Sequence, residues 1–228
     1  MTATGGTETA KRFAGEAAAA TVADGAVVGL GTGTTSAHAI RALGRAVDGG
    51  LDVRGVATSL QSRALAREVG LPLVALADVE RLDVAIDGAD QVAGFDLVKG
   101  GGAAHAREKV VAAAADRFLV VVDDTKEAAV LDHPVPVEVL PDARTAVAAA
   151  VAALGGEPTL RAALAKDGPV VTEHGNLVLD CAFGSVDDPA GLAASLAAVP
   201  GVVAHGLFVG MADAVYVGTG DGVELRER

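Results

Sequence analysis

Tryptophan is absent from this chain of 228 residues, and Cys181 is its one cysteine. A single thiol excludes an internal disulfide framework, and its plain reading is a small buried hydrophobe. Aromatic residues make up 3% of the chain while 51% of it is hydrophobic, so the core must pack through many small alanine, valine and leucine contacts. Basic charge is scarce as well: 18 Lys and Arg stand against 30 Asp and Glu, a formal net charge of −12. Nucleic acid and anionic membrane both select a basic face, so neither is expected as a partner. No apolar run approaches the ~18 residues of a membrane span. Lys11, Arg12, Glu16 and Asp24 interrupt the alanine-rich start before a signal-peptide core forms,. These absences predict a cytoplasmic protein. The excess of Arg over Lys and of Asp over Glu fits a high-salt cytoplasm or a GC-rich genome, and the length suffices for one large domain or two modest ones.

Hydrophobic patterning predicts alternating strands and helices in the first half. A helix is expected over 7–23, a strand over 26–30, a helix over 37–47, a strand over 53–57 and a helix over 60–69,. A short extended piece at 73–75, a strand at 84–86, a helix over 103–115 and an apolar strand over 117–122 follow. That alternation implies parallel pairing in a doubly wound α/β sheet. After Lys126 the character changes. Pro134 and Pro136 read as a turn, then come strand 137–140, helix 143–154, strands near 159–162 and 176–182, helix 190–197 and strand 202–208. The order β-α-β-β-α-β is that of a ferredoxin-like α+β unit. The end of the chain, around Gly218 to Gly222, reads as a hairpin expected to rejoin the first domain.

Four motifs carry charge or bare backbone where strands should end. Gly31-Thr32-Gly33-Thr34-Thr35 joins a strand to a helix, and N–H groups at a helix N-terminus with nearby hydroxyls suit a phosphate,. A Walker A loop would need a lysine before the hydroxyl residue, and a dinucleotide fold an acid where this chain has Thr58-Ser59, so a small phosphorylated molecule fits better,. Asp87-Gly88-Ala89-Asp90 places two carboxylates close together, which suits proton traffic on hydroxyls; an Asp-Gly turn bonding its own backbone is the plainer alternative. Lys99-Gly100-Gly101-Gly102 sets a positive charge beside exposed amide donors, a means of holding an oxyanion,. Glu108, between Arg107 and Lys109, reads by itself as part of a solvated helix face,. The histidines at 38, 105, 133, 174 and 205 show no metal-ligand spacing, so no metal is expected.

These motifs, with Arg107-Glu108-Lys109, Asp124-Thr125-Lys126 and Gly175-Asn176 in that order and spacing, resemble the type A ribose-5-phosphate isomerases over nearly the whole chain. The resemblance implies a Rossmann-like domain (1–130 and 209–228) and an inserted ferredoxin-like α+β domain (131–208). It implies interconversion of ribose 5-phosphate and ribulose 5-phosphate through a cis-enediolate, without metal or organic cofactor. By position, Glu108 matches the proton acceptor. Thr32, Gly33, Thr34 and Thr35 would hold the substrate phosphate, with Lys11 assisting. Asp87, Gly88, Ala89 and Asp90, together with Lys99, Gly100, Gly101 and Gly102, would line the sugar; Lys126 adds a contact, and Asp87, Asp90 and Lys99 join the catalysis. A homodimer or homotetramer is implied. Thr34 stands where many members have serine, and Gln91 where glutamate is usual. Two other functions stay open: a non-catalytic sugar-phosphate sensor, for whose DNA-binding domain the segment before Ala26 leaves no room, and another sugar-phosphate isomerase on a related scaffold.

Overall fold

A computed structural model gives the fold and describes residues 6–165 and 167–228. The elements run α1 (Glu8–Ala19), β1 (Ala26–Leu30), α2 (Thr34–Asp48), β2 (Val53–Ala57), α3 (Leu60–Glu68), β3 (Val84–Asp87), β4 (Gln91–Ala93), β5 (Asp96–Val98), α4 (His105–Ala113) and β6 (Phe118–Asp123). They continue with β7 (Val135–Val139), α5 (Arg144–Ala153), β8 (Glu157–Leu160), β9 (Leu177–Ala182), α6 (Pro189–Ala197), β10 (Val202–His205), β11 (Leu207–Phe208), β12 (Ala214–Gly218) and β13 (Val223–Glu227). The chain divides into two compact units: Met1–Ala89 with Arg107–Glu127 and Met211–Arg228, and Asp90–Ala106 with Ala128–Gly210.

In the first unit six strands form one sheet in the order β13-β12-β6-β3-β1-β2. All neighbours pair in parallel except the β12–β13 hairpin. β1 (AVVGL) and β6 (FLVVVD) are buried at every position, as strands covered on both faces must be,. Val28, Leu30, Ile40, Leu43, Leu119 and Val121 form the centre of its core. Truncating a fully buried Phe118 to alanine would cost about 3–5 kcal/mol on general experience with cores,. The helices start where local chemistry dictates: the Thr7 hydroxyl accepts from the Ala10 N–H (3.1 Å), and Ser59 and Ser62 form a reciprocal capping box ahead of α3,. From β1 the chain crosses to β2 on one side and then to β3 on the other, so the carboxyl ends of β1 and β3 form a topological switch point,.

The second unit holds a four-stranded antiparallel sheet, β10-β7-β9-β8, built in the expected order β7-α5-β8-β9-α6-β10. Its core centres on Val135, Val137, Val139, Val147, Val151, Leu179 and Leu196. Two readings need correction here. Pro136 is not in a turn but inside the buried strand β7, where its carbonyl accepts from the Gly206 N–H (2.7 Å). The strand expected over 202–208 breaks at Gly206, whose N–H makes that bond and whose carbonyl accepts from the Lys99 N–H (2.8 Å). A Cβ at 206 would lie 2.2 Å from the Lys99 carbonyl oxygen, so only glycine permits this crossing. Beyond it β11 joins a three-stranded sheet, β11-β5-β4, which brings residues 90–106 into the second unit.

Candidate active site

In the first unit the switch point gathers the expected phosphate loop around one carboxylate. Leu30 pairs with Ile86, so Gly31-Thr32 and Asp87 leave their strands side by side. Asp87 is buried, and its Oδ1 accepts from the N–H groups of Thr32 (3.0 Å) and Gly88 (2.8 Å) and from the Ser36 hydroxyl (3.3 Å). Gly31 has no room for a side chain, since a Cβ would fall 2.2 Å from the same oxygen. The Thr32 hydroxyl is spent on Ser59 Oγ (2.7 Å) and Thr58 Oγ1 (2.9 Å), which ties the loop to the end of β2.

The next residues are open. Gly33, at φ +106°, is the N-cap of α2, and among the described residues no side-chain cap bond is made there. Gly33 and Thr34 are exposed. Uncapped amide donors at the positive end of a fifteen-residue helix are chemically suited to an anion,.

A second carboxylate lies at the same carboxyl edge of the sheet, two strands from β1. Asp123, fully buried at the end of β6, has an Oδ1 that accepts from the Gly6 N–H (2.8 Å), the Thr125 N–H (3.1 Å) and the Thr125 hydroxyl. Burial alone would raise its pKa, but these hydrogen bonds and the charge of Lys11 outweigh it and hold the carboxyl below its usual range,. The turn Asp124–Lys126 that follows carries half-buried Lys126.

In the second unit β5 delivers Lys99, which is 3% exposed with its Nζ 5.5 Å from the centre of the Phe208 ring. Gly100 follows at φ +112°, a conformation that glycine adopts without strain,. Asp90 Oδ2 accepts from the Gly101 N–H (2.8 Å), and Arg161 Nη1 donates to the carbonyls of Gly100 (2.8 Å) and Gly101 (3.1 Å). Arg161 is itself held by Asp180, to which its Nε donates (2.9 Å). Gly102 is exposed. Glu108, which belongs to the first unit, lies in the first turn of α4 and is 5% exposed, so it is not on a solvated face.

Thr32, Asp87 and Gly88 therefore meet in one unit and Asp90 and Gly101 in the other; Ala89 closes the first segment. Ser36, Asp123 and Arg161 were not anticipated. Asp123 had a visible signal, an acid ending an apolar strand, whereas nothing local marks Arg161. Among the described residues no group of three or more His, Cys, Asp or Glu is arranged to hold a metal ion, and no helix is long and apolar enough to cross a membrane.

The sequence profile of Ribose 5-phosphate isomerase A (phosphoriboisomerase A) matches residues 54–222. A ribose-5-phosphate isomerase A of Haloarcula marismortui is 68% identical over 222 residues, covering 97% of each chain. The structure of ribose 5-phosphate isomerase A from Methanocaldococcus jannaschii superposes with a TM-score of 0.93 at 40% identity, covering 97% of this chain and 99% of that one. A D-ribose-5-phosphate isomerase in complex with phospho-erythronic acid superposes with a TM-score of 0.95 at 40% identity, over 98% and 100% of the two chains.

Proposed function

This chain belongs to the ribose 5-phosphate isomerase A family, and we propose on that basis that it interconverts D-ribose 5-phosphate and D-ribulose 5-phosphate with Glu108 as the proton carrier. The observation that carries the role of Glu108 is its burial. A carboxylate flanked by Arg107 and Lys109 in a nine-residue helix would ordinarily face water, yet it is 5% exposed. A desolvated carboxylate is a stronger base toward a carbon acid than a hydrated one, and it excludes competing water.

Moving the carbonyl from C1 to C2 requires loss of a proton from C2 and gain of one at C1. One carboxylate serving both carbons does this through a cis-enediolate, first as base and then as acid. Negative charge builds on the sugar oxygen, where Lys99 and the N–H groups of Gly100, Gly101 and Gly102 stabilise it. Asp87 and Asp90 exchange protons with the hydroxyls and assist ring opening. The phosphate sits on the open N-terminus of α2, at Gly33, Thr34 and Thr35, with Lys11 and Lys126 supplying positive charge; the uncapped first turn supports this. Thr32, Gly88 and Ala89 shape the site through the backbone. The working form is a homodimer or homotetramer in the cytoplasm.

A coupled assay with ribose 5-phosphate in the presence of a chelator tests the reading. Turnover insensitive to the chelator is expected. Turnover of an amino-sugar phosphate but not of ribose 5-phosphate would replace the substrate, and binding without turnover would indicate a sensor.

A further inference from the structure

A hollow lined by arginines lies in the first unit at the carboxyl end of its edge strand. A cavity of about 540 Å³ opens there, floored by Val56 and Ala57 of β2 and by Leu73 and Leu76 of the segment that follows α3. That segment runs along β2, with the Val74 N–H donating to the Gly55 carbonyl (3.0 Å) and the Gly55 N–H to the Pro72 carbonyl (2.7 Å), so the floor is fixed by backbone bonds. Three arginines, Arg63, Arg67 and Arg107, complete the lining, and no acidic residue takes part in it.

Several arginines of this chain are ion-paired: Arg12, Arg45, Arg81, Arg117, Arg161 and Arg226 are each held by a carboxylate. Among the described residues no carboxylate lies within ion-pair distance of Arg63 or Arg67. These two stand four residues apart in α3, hence on one face of the helix, where like charges repel,. A protein with a net charge of −12 thus sets neighbouring cations around one apolar hollow without a counter-charge beside that pair.

We propose that this cavity binds a small organic anion, its phosphate or carboxylate held by Arg63, Arg67 and Arg107 and its apolar body lying on Val56, Ala57, Leu73 and Leu76. Guanidinium groups bind both kinds of anion through paired N–H donors. The volume is in the range of metabolite sites and exceeds what a bare inorganic ion needs,. An open α/β sheet presents ligand sites at strand carboxyl ends, as here. The site is separate from the phosphate loop at Gly33–Thr35 and does not depend on the isomerase reading.

Titration of the labelled protein with hexyl phosphate and with hexanoate, followed by the amide resonances of Ala57, Val74 and Leu76, tests this. Saturable shifts are expected with at least one of the two probes, and which one is tighter tells phosphate from carboxylate. Inorganic phosphate and hexanol should bind at least tenfold more weakly. The double variant Arg63→Gln/Arg67→Gln should lose at least tenfold in affinity. Leu76→Glu, which sets an acid among the arginines, should abolish binding by a separate route. The proposal is overturned if hexanol binds as tightly, in which case the arginine stems merely cover apolar surface. It is also overturned if shifts are confined to Gly33–Thr35, or if the same amides move with protein concentration alone, which would mean that a second copy covers the cavity.

Discussion

The Arg161 guanidinium donates to the carbonyl oxygens of both Gly100 and Gly101, so one side chain from a distant part of the chain fixes the turn that follows Lys99. Its other face is bound to Asp180, which sets its direction. Three glycines would otherwise leave this turn with large conformational freedom.

Arg161→Met removes those bonds and leaves Asp180 without its cation. A loss of about 1–3 kcal/mol is expected from the stranded polar groups, together with a fall in kcat as Lys99 loses its support. Arg161→Lys should restore little, because a single ammonium cannot reproduce the planar fork. Urea unfolding and steady-state turnover of ribose 5-phosphate check both; a variant unchanged in either would show that the turn is held by other means.

Gly33→Ala isolates the phosphate loop. No neighbour lies within 4 Å of a Cβ there, so the penalty comes from the backbone at φ +106° alone. About 1–3 kcal/mol of strain is expected; relief of it by shifting φ would turn the α2 amides away from the phosphate. KM for ribose 5-phosphate should rise several-fold, while KM unchanged in a folded variant would place the phosphate elsewhere.

Lys109 gives a pH signature. Burial lowers its ammonium from 10.5 to about 8. Between those values the unfolded chain binds the proton and the folded chain does not, so this site makes stability rise with pH across that window. Below about pH 8 the full penalty is present. Lys109→Met should therefore be more stable than the parent at pH 7.5, with the difference closing toward pH 10.5. A difference independent of pH would show that Lys109 is not desolvated.

Lys99→Met keeps the length of the side chain and removes its charge. If Lys99 stabilises the enediolate oxygen, kcat should fall by about 10²–10³ with a smaller change in KM. A variant altered only in KM would make Lys99 a ground-state contact.

Much of this was readable in the residues. The buried strands β1, β3 and β6 are apolar runs, the last two ending in an aspartate, and the β-α-β-β-α-β order of the second unit survives in the pattern of apolar and turn residues. What stayed hidden depends on long-range partners. β4 and β5 are three residues each, too short for any periodicity; they pair with each other, and the distant β11 completes their sheet. Pro136 punctuates turns elsewhere but sits in β7, with its carbonyl used by Gly206. The burial of Glu108 is invisible beside two basic neighbours, because a helix face is solvated or covered only by virtue of what folds over it.

Solvent deuterium exchange at C2 of the sugar phosphate, compared between the parent and Glu108→Gln, bears most directly on the chemistry. Glutamine keeps the shape and cannot take a proton. Exchange and turnover should both fall by about 10²–10⁴, while binding of a non-reacting sugar-phosphate analogue changes no more than a few-fold. Undiminished exchange in a folded Glu108→Gln protein would contradict the assignment and move the base to another carboxylate.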